Sequence, residues 1–248
     1  MRSSKFTLMA AVLATALFGA HQPAGAQSTD PAIPTGTLSA YPSVVQTGTF
    51  PTLSWNVTHP QIIDDIVTIT PPGTVTPKKT LEMKIRVIGA SVKRVWLNQY
   101  GQVTNWEWVP TEALLSYNNS NYSRIWYNTQ NNVNPNTVVH TRTVYNNQPI
   151  KVAGRYLNSN GSWNTMFTST SSTGNVRALK NGDTPPTTEP LYQQPTLESF
   201  LLPYLDDEGK IEIGPKDVIF LFELTHTDPY HGGYDLQDLV LLATFREI

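Results

Sequence analysis

The chain has 248 residues, with 17 Lys and Arg against 19 Asp and Glu, a formal charge of −2 and no cysteine. So mild a balance, with basic residues no denser than Lys78-Lys79 and Lys93-Arg94, argues against nucleic acid as the natural partner, because phosphate neutralisation needs clustered Lys and Arg. The missing cysteine excludes disulfides, thiolate nucleophiles and thiolate-held zinc or iron–sulfur sites, so stability must come from an ordinary core, which a chain of this length can build.

Arg2 and Lys5 open the chain, residues 6–20 are almost wholly apolar, and Ala24-Gly25-Ala26 has the small-x-small pattern of a cleavage site. These three parts in this order predict a secretory signal peptide over 1–26. A membrane anchor needs about 20 apolar residues. This run is shorter and is followed by His21, Gln22 and Pro23, and no later stretch of the sequence is long enough to span a bilayer as a helix. Cleavage after Ala26 removes Arg2 and Lys5 and no acid, which leaves 15 basic and 19 acidic residues. The expected destination is the periplasm, the cell surface or the exterior of a bacterium.

Residues 27–36, with Pro31 and Pro34, read as a polar tether. Leu53, Trp55 and Val57 then alternate with polar residues, a second strand is expected at 66–70, and Pro71-Pro72-Gly73 supplies a turn. The clearest alternation is 81–87, where odd positions are apolar and Glu82, Lys84 and Arg86 occupy the even ones. Val45-Gln46-Thr47-Gly48, then Leu53-Ser54-Trp55, then this alternating strand resemble an immunoglobulin-like bacterial surface domain over residues 37–90. The resemblance implies a sandwich and a role in adhesion or spacing, without chemistry. It sets a 37–98 segment beside a larger β-rich segment, 99–248, packed with it as one globular unit.

The middle of the chain holds five of the six tryptophans and many Asn. Strands are expected at 103–108, 122–127, 137–144 and 150–157, separated by Asn-rich turns such as Asn118-Asn119-Ser120-Asn121. Within 150–157, Ile150, Val152 and Tyr156 share one face with Gly154. Further on, Thr196 can cap a short helix that presents Leu197, Phe200 and Leu201 on one side, with Pro203 limiting its length. The runs 218–224 and 239–245 are apolar on both faces and are expected as central strands covered on both sides. The fold class is therefore all-β, an immunoglobulin-like or jelly-roll-like sandwich with one short helix in the C-terminal third.

Two clusters carry functional expectations. Trp106, Trp108, Tyr122, Trp126 and Tyr127, beside Asn118, Asn119 and Asn121, offer flat rings and amides of the kind that hold a sugar; the same rings would equally serve as core. Glu223, His226, Asp228, His231, Asp235 and Asp238 crowd the connection between the last two strands. His226, Asp228, His231 and Asp235 are the candidate ligands for calcium or zinc, and a polar hairpin loop is the alternative. The sequence has no Gly-x-Ser-x-Gly, His-Glu-x-x-His or phosphate-loop motif. Three functions stay open: a non-enzymatic surface or envelope protein that binds a glycan or protein, a secreted metal- or carboxylate-dependent hydrolase, and a structural matrix or appendage subunit.

Overall fold

A computed structural model describes residues 61–192 and 194–248, together with the backbone of two strands, β1 (Thr35–Ser39) and β2 (Ser54–Thr58). The signal sequence, the tether up to residue 34 and the Val45–Gly48 part of the immunoglobulin-like pattern lie outside the described residues. β1 and β2 pair antiparallel, from Thr35 opposite Thr58 to Ser39 opposite Ser54, so the alternating segment ending at Val57 does form a strand.

The rest of the described chain is a two-sheet sandwich. Its strands are β3 (Val67–Thr70), β4 (Thr74–Pro77), β5 (Leu81–Gly89), β6 (Lys93–Leu97), β7 (Val103–Trp108), β8 (Thr111–Tyr117) and β9 (Ser123–Asn128). They continue with β10 (Val138–Val144), β11 (Ile150–Tyr156), β12 (Phe167–Thr168), β13 (Val176–Leu179), β14 (Asp217–Phe222) and β15 (Leu239–Glu247). One sheet has the order β10-β5-β15-β14-β13. The other runs β3-β4-β11-β8-β9, with β12 added along β11. All of these pairings are antiparallel. Among the described residues β6 and β7 pair only with each other, as a separate two-stranded ribbon.

The period-two patterns explain the core. Leu81, Met83, Ile85 and Val87 of β5 point into the space between the sheets, while Glu82, Lys84 and Arg86 on the other side are half-buried. Ile150 and Val152 of β11, together with Ala113 and Leu115 of β8, close that space from the second sheet. Gly154 lets the sheets approach closely: a Cβ built there would lie 2.9 Å from Leu239 Cδ2.

β14 and β15 are hydrophobic on both faces because both faces are covered. Phe220, Phe222, Leu241 and Phe245 face the sandwich interior, whereas Ile219, Leu221, Val240 and Leu242 face a second core. That second core is roofed by Leu197 and Leu201 of the short helix α2 (Leu197–Leu201), with Ile211 and Ile213 beside them. Each such fully buried side chain contributes about 1.5–3 kcal/mol of transfer free energy. Thr196 caps α2 as its position suggests, its Oγ1 accepting the Ser199 N–H at 3.1 Å, and a 3-10 turn containing Pro203 ends it. A second, four-residue helix, α1 (Ile63–Ile66), was not apparent in the sequence; Ile63 and Ile66 anchor it in the sandwich core.

Candidate functional site

The ribbon β6–β7 is exposed, with Trp96, Leu97, Val103 and Trp106 all open to solvent. Cross-strand register sets Lys93 opposite Trp108 and Val95 opposite Trp106, which places these four residues on one ribbon face. The rings of Trp106 and Trp108 meet edge to face at 5.2 Å. Lys93 Nζ lies 4.4 Å from the centroid of Trp106 and 5.7 Å from that of Trp108. Burial lowers the Lys93 pKa. On the opposite face, Arg94 and Glu107 form an ion pair across the two strands.

Between this ribbon and the segment around Leu191 and Tyr192 runs a cleft of about 630 Å³, walled by Lys93, Val103 and Trp106. Its size falls within the range of small-ligand sites. A smaller cavity of about 90 Å³ shares Lys93, Leu191 and Tyr192 with it and leads down to Gln194, Asp235 and Asp238. On the far side of Lys93 and His226 a third hollow, about 340 Å³, is lined by Arg94, Tyr156 and Asn158.

The floor of the cleft is built by the β14–β15 connection, and Glu223 is its organiser. This fully buried carboxylate accepts five hydrogen bonds. Oε1 takes the Thr225 N–H (2.9 Å), the Thr225 hydroxyl (2.7 Å) and the His226 N–H (2.9 Å), and Oε2 takes those of Asp235 (2.8 Å) and Leu236 (3.4 Å). One side chain thus ties both ends of the loop together, and its charge is solvated by backbone dipoles rather than by water. Asp238 Oδ2 accepts the N–H groups of Leu224 and Thr225 at 2.7 and 3.1 Å. Asp235 is held by the amides of Gln237 (2.7 Å) and Gln194 (3.2 Å).

Burial, then the Glu223 charge, pushes the Asp235 pKa up to about 7. Burial, then the charges of Glu223 and Asp235, raises that of Asp238 well above the usual carboxylate range, and its side chain also hydrogen-bonds Glu223.

The candidate metal ligands divide. His226 and His231 stack with centroids 3.9 Å apart and planes 16° from parallel, and Gly233 gives them room: a Cβ there would lie 2.7 Å from His226 Cε1. Asp228 is exposed and accepts the Tyr230 N–H in a local turn, while Asp235 is buried in the cleft floor. Among the described residues no group of three or more His, Asp or Glu has a metal-holding arrangement. The lone pairs of Glu223 and Asp238 that a cation would take are spent largely on N–H donors.

The five candidate binding aromatics separate likewise. Trp106 and Trp108 stand together on the ribbon. Register puts Trp126 opposite Ala113, on the inner face of its sheet, where it packs against the core. Tyr122 is half-buried, with its hydroxyl bonded to Thr168 and Thr170; burial raises its pKa more than these bonds lower it. Tyr127 lies on the outer face and is 42% exposed, 5.8 Å from Trp163.

Around Tyr127 and Trp163 stands a group that no local pattern in the sequence foretells. Glu112 of β8 is opposite Arg155 of β11 and Tyr127 of β9, and its fully buried carboxylate pairs with both Arg155 and Arg124. Strand register alone brings these residues together, from positions up to 43 apart.

Compared with protein-family models, with curated proteins and with solved structures, the chain matches none. Among the described residues no helix is long and apolar enough to cross a membrane.

Proposed function

We propose that this chain is an exported, non-enzymatic β-sandwich that binds a glycan in the cleft between the β6–β7 ribbon and the Leu191–Tyr192 segment. The observation that carries the reading is Trp106. Its ring is 47% exposed on the wall of a cleft of about 630 Å³, braced by Trp108 and Lys93 and faced by Tyr192. An aromatic wall with a few fixed polar groups suits the alternating apolar and hydroxyl surfaces of a sugar. The signal-like start of the sequence supports export to the periplasm, the cell surface or beyond. The test is a glycan array probed with the mature chain and with Trp106→Ala. Binding that survives Trp106→Ala unchanged, or silence across the array, would sink the reading.

One observation favours a second reading, a carboxylate-dependent hydrolase. Asp235 and Asp238 line the deep end of the same cleft, and an acid with a pKa of about 7 can transfer a proton near neutral pH. Any bound oligosaccharide should then be cleaved by the native chain and left intact by Asp235→Asn.

A further inference from the structure

We propose that Arg124 and Arg155 form a second binding site, distinct from the cleft, for the carboxylate or sulfate group of an acidic polysaccharide. Both arginines use only Nε to hold Glu112, and among the described residues no acceptor takes their Nη groups. Arg94 contrasts with them: its Nη1 is bound to Glu107 and its Nη2 to the Leu157 carbonyl. The Arg124 and Arg155 side chains remain 50% and 28% exposed, while Glu112 is wholly buried beneath them. Two guanidiniums over one carboxylate leave a local charge of +1 with unused fork donors, the geometry that receives an oxyanion bidentately.

The pair is held in place beforehand. Arg155 lies 4.7 Å from the Trp163 ring, and Arg124 lies 4.8 Å from Tyr127 and 5.5 Å from Trp163. These stacked contacts, with the shared Glu112, remove much of the side-chain freedom that a free surface arginine would lose on binding. The surroundings select the carrier. Asn160 and Ser162, exposed in the turn that precedes Trp163, add an amide and a hydroxyl beside the rings of Tyr127 and Trp163. Sugar hydroxyls match such a rim. A mildly acidic chain offers no long-range attraction, but charges beyond about 10 Å are screened at ordinary salt, so the local pair decides.

The experiment is isothermal titration of the full mature chain with oligogalacturonate, its fully methyl-esterified form, inorganic sulfate and a polyglutamate peptide. The acidic oligosaccharide should bind best, more weakly as salt rises, and at least about tenfold more tightly than its ester. Arg124→Gln and Arg155→Gln should each weaken it about tenfold or more, and Trp106→Ala should leave it unchanged. If a glutamine variant fails to fold, Arg124→Lys, which keeps the charge and loses the fork, should still weaken binding measurably. Equal binding of acid and ester, full affinity in Arg124→Gln or Arg124→Lys, stronger binding of polyglutamate, or binding of free sulfate alone would each overturn the proposal. Because the cleft is read out by Trp106→Ala and neutral sugars, failure of one site leaves the other standing.

Discussion

The backbone N–H of Asp235 donates to Glu223 Oε2 at 2.8 Å, so a carboxylate at the end of β14 holds in place the residue that forms the floor of the cleft. Loop shape and site electrostatics are therefore one arrangement.

Replacing Glu223 by Ala leaves the N–H groups of His226, Asp235 and Leu236 without an acceptor in a buried loop, while Thr225 keeps Asp238 for its N–H and His226 for its hydroxyl. The cost should be about 3–5 kcal/mol in urea unfolding, since a group removed from a buried network strands its partners. Glu223→Gln, which keeps an acceptor oxygen, should cost less.

Asp235 binds its proton more tightly in the folded chain, with a pKa moved from 3.8 to about 7. Between those values the folded state carries more protons than the unfolded one, so stability falls as pH rises through this window and levels off above it. Asp238 acts in the same direction. The loss attributable to Asp235 is up to about 4 kcal/mol. Urea midpoints from pH 4 to pH 8 should show a slope that is flatter in Asp235→Asn than in the native chain.

Two tryptophans of similar sequence context should separate cleanly. Trp126→Ala removes a ring packed against the sandwich core and should cost about 3 kcal/mol. Trp106→Ala removes a ring from the exposed ribbon and should change stability by no more than about 0.5 kcal/mol. The same unfolding series measures both.

Gly154→Ala tests how closely the sheets approach. The added methyl would meet Leu239 Cδ2 at 2.9 Å, Leu224 Cδ2 at 3.2 Å and Phe222 Cδ1 at 3.4 Å. Overpacking of this kind should cost about 1–3 kcal/mol, read as a lowered thermal midpoint.

Local pattern was sufficient for much of the fold. The alternation of 81–87 became β5, the two-faced apolar runs became β14 and β15 inside a doubly covered sheet, and Thr196 and Pro203 bounded α2. These features depend on period, capping and proline geometry, which neighbouring residues settle among themselves. β8 was not legible, although it lies second from the edge of its sheet between β11 and β9. In Thr111–Tyr117 every residue is buried, so no polar alternation marks a face. The ribbon was half legible: 103–108 read as a strand, but nothing in it told that its partner is β6 rather than the main sheet.

For the site, the sequence by itself determined that rings and acids were available, that Trp106 and Trp108 share a face, and that the 223–238 connection concentrates charge. Only the tertiary structure decided their roles. Register buried Trp126 and exposed Tyr127, joined Glu112 to arginines on two other strands, and turned Glu223 from a metal candidate's neighbour into the acceptor that shapes the loop. The physical reason is that side-chain direction in a strand is fixed by near neighbours, whereas burial, charge pairing and a carboxylate's pKa depend on which distant strand lies alongside.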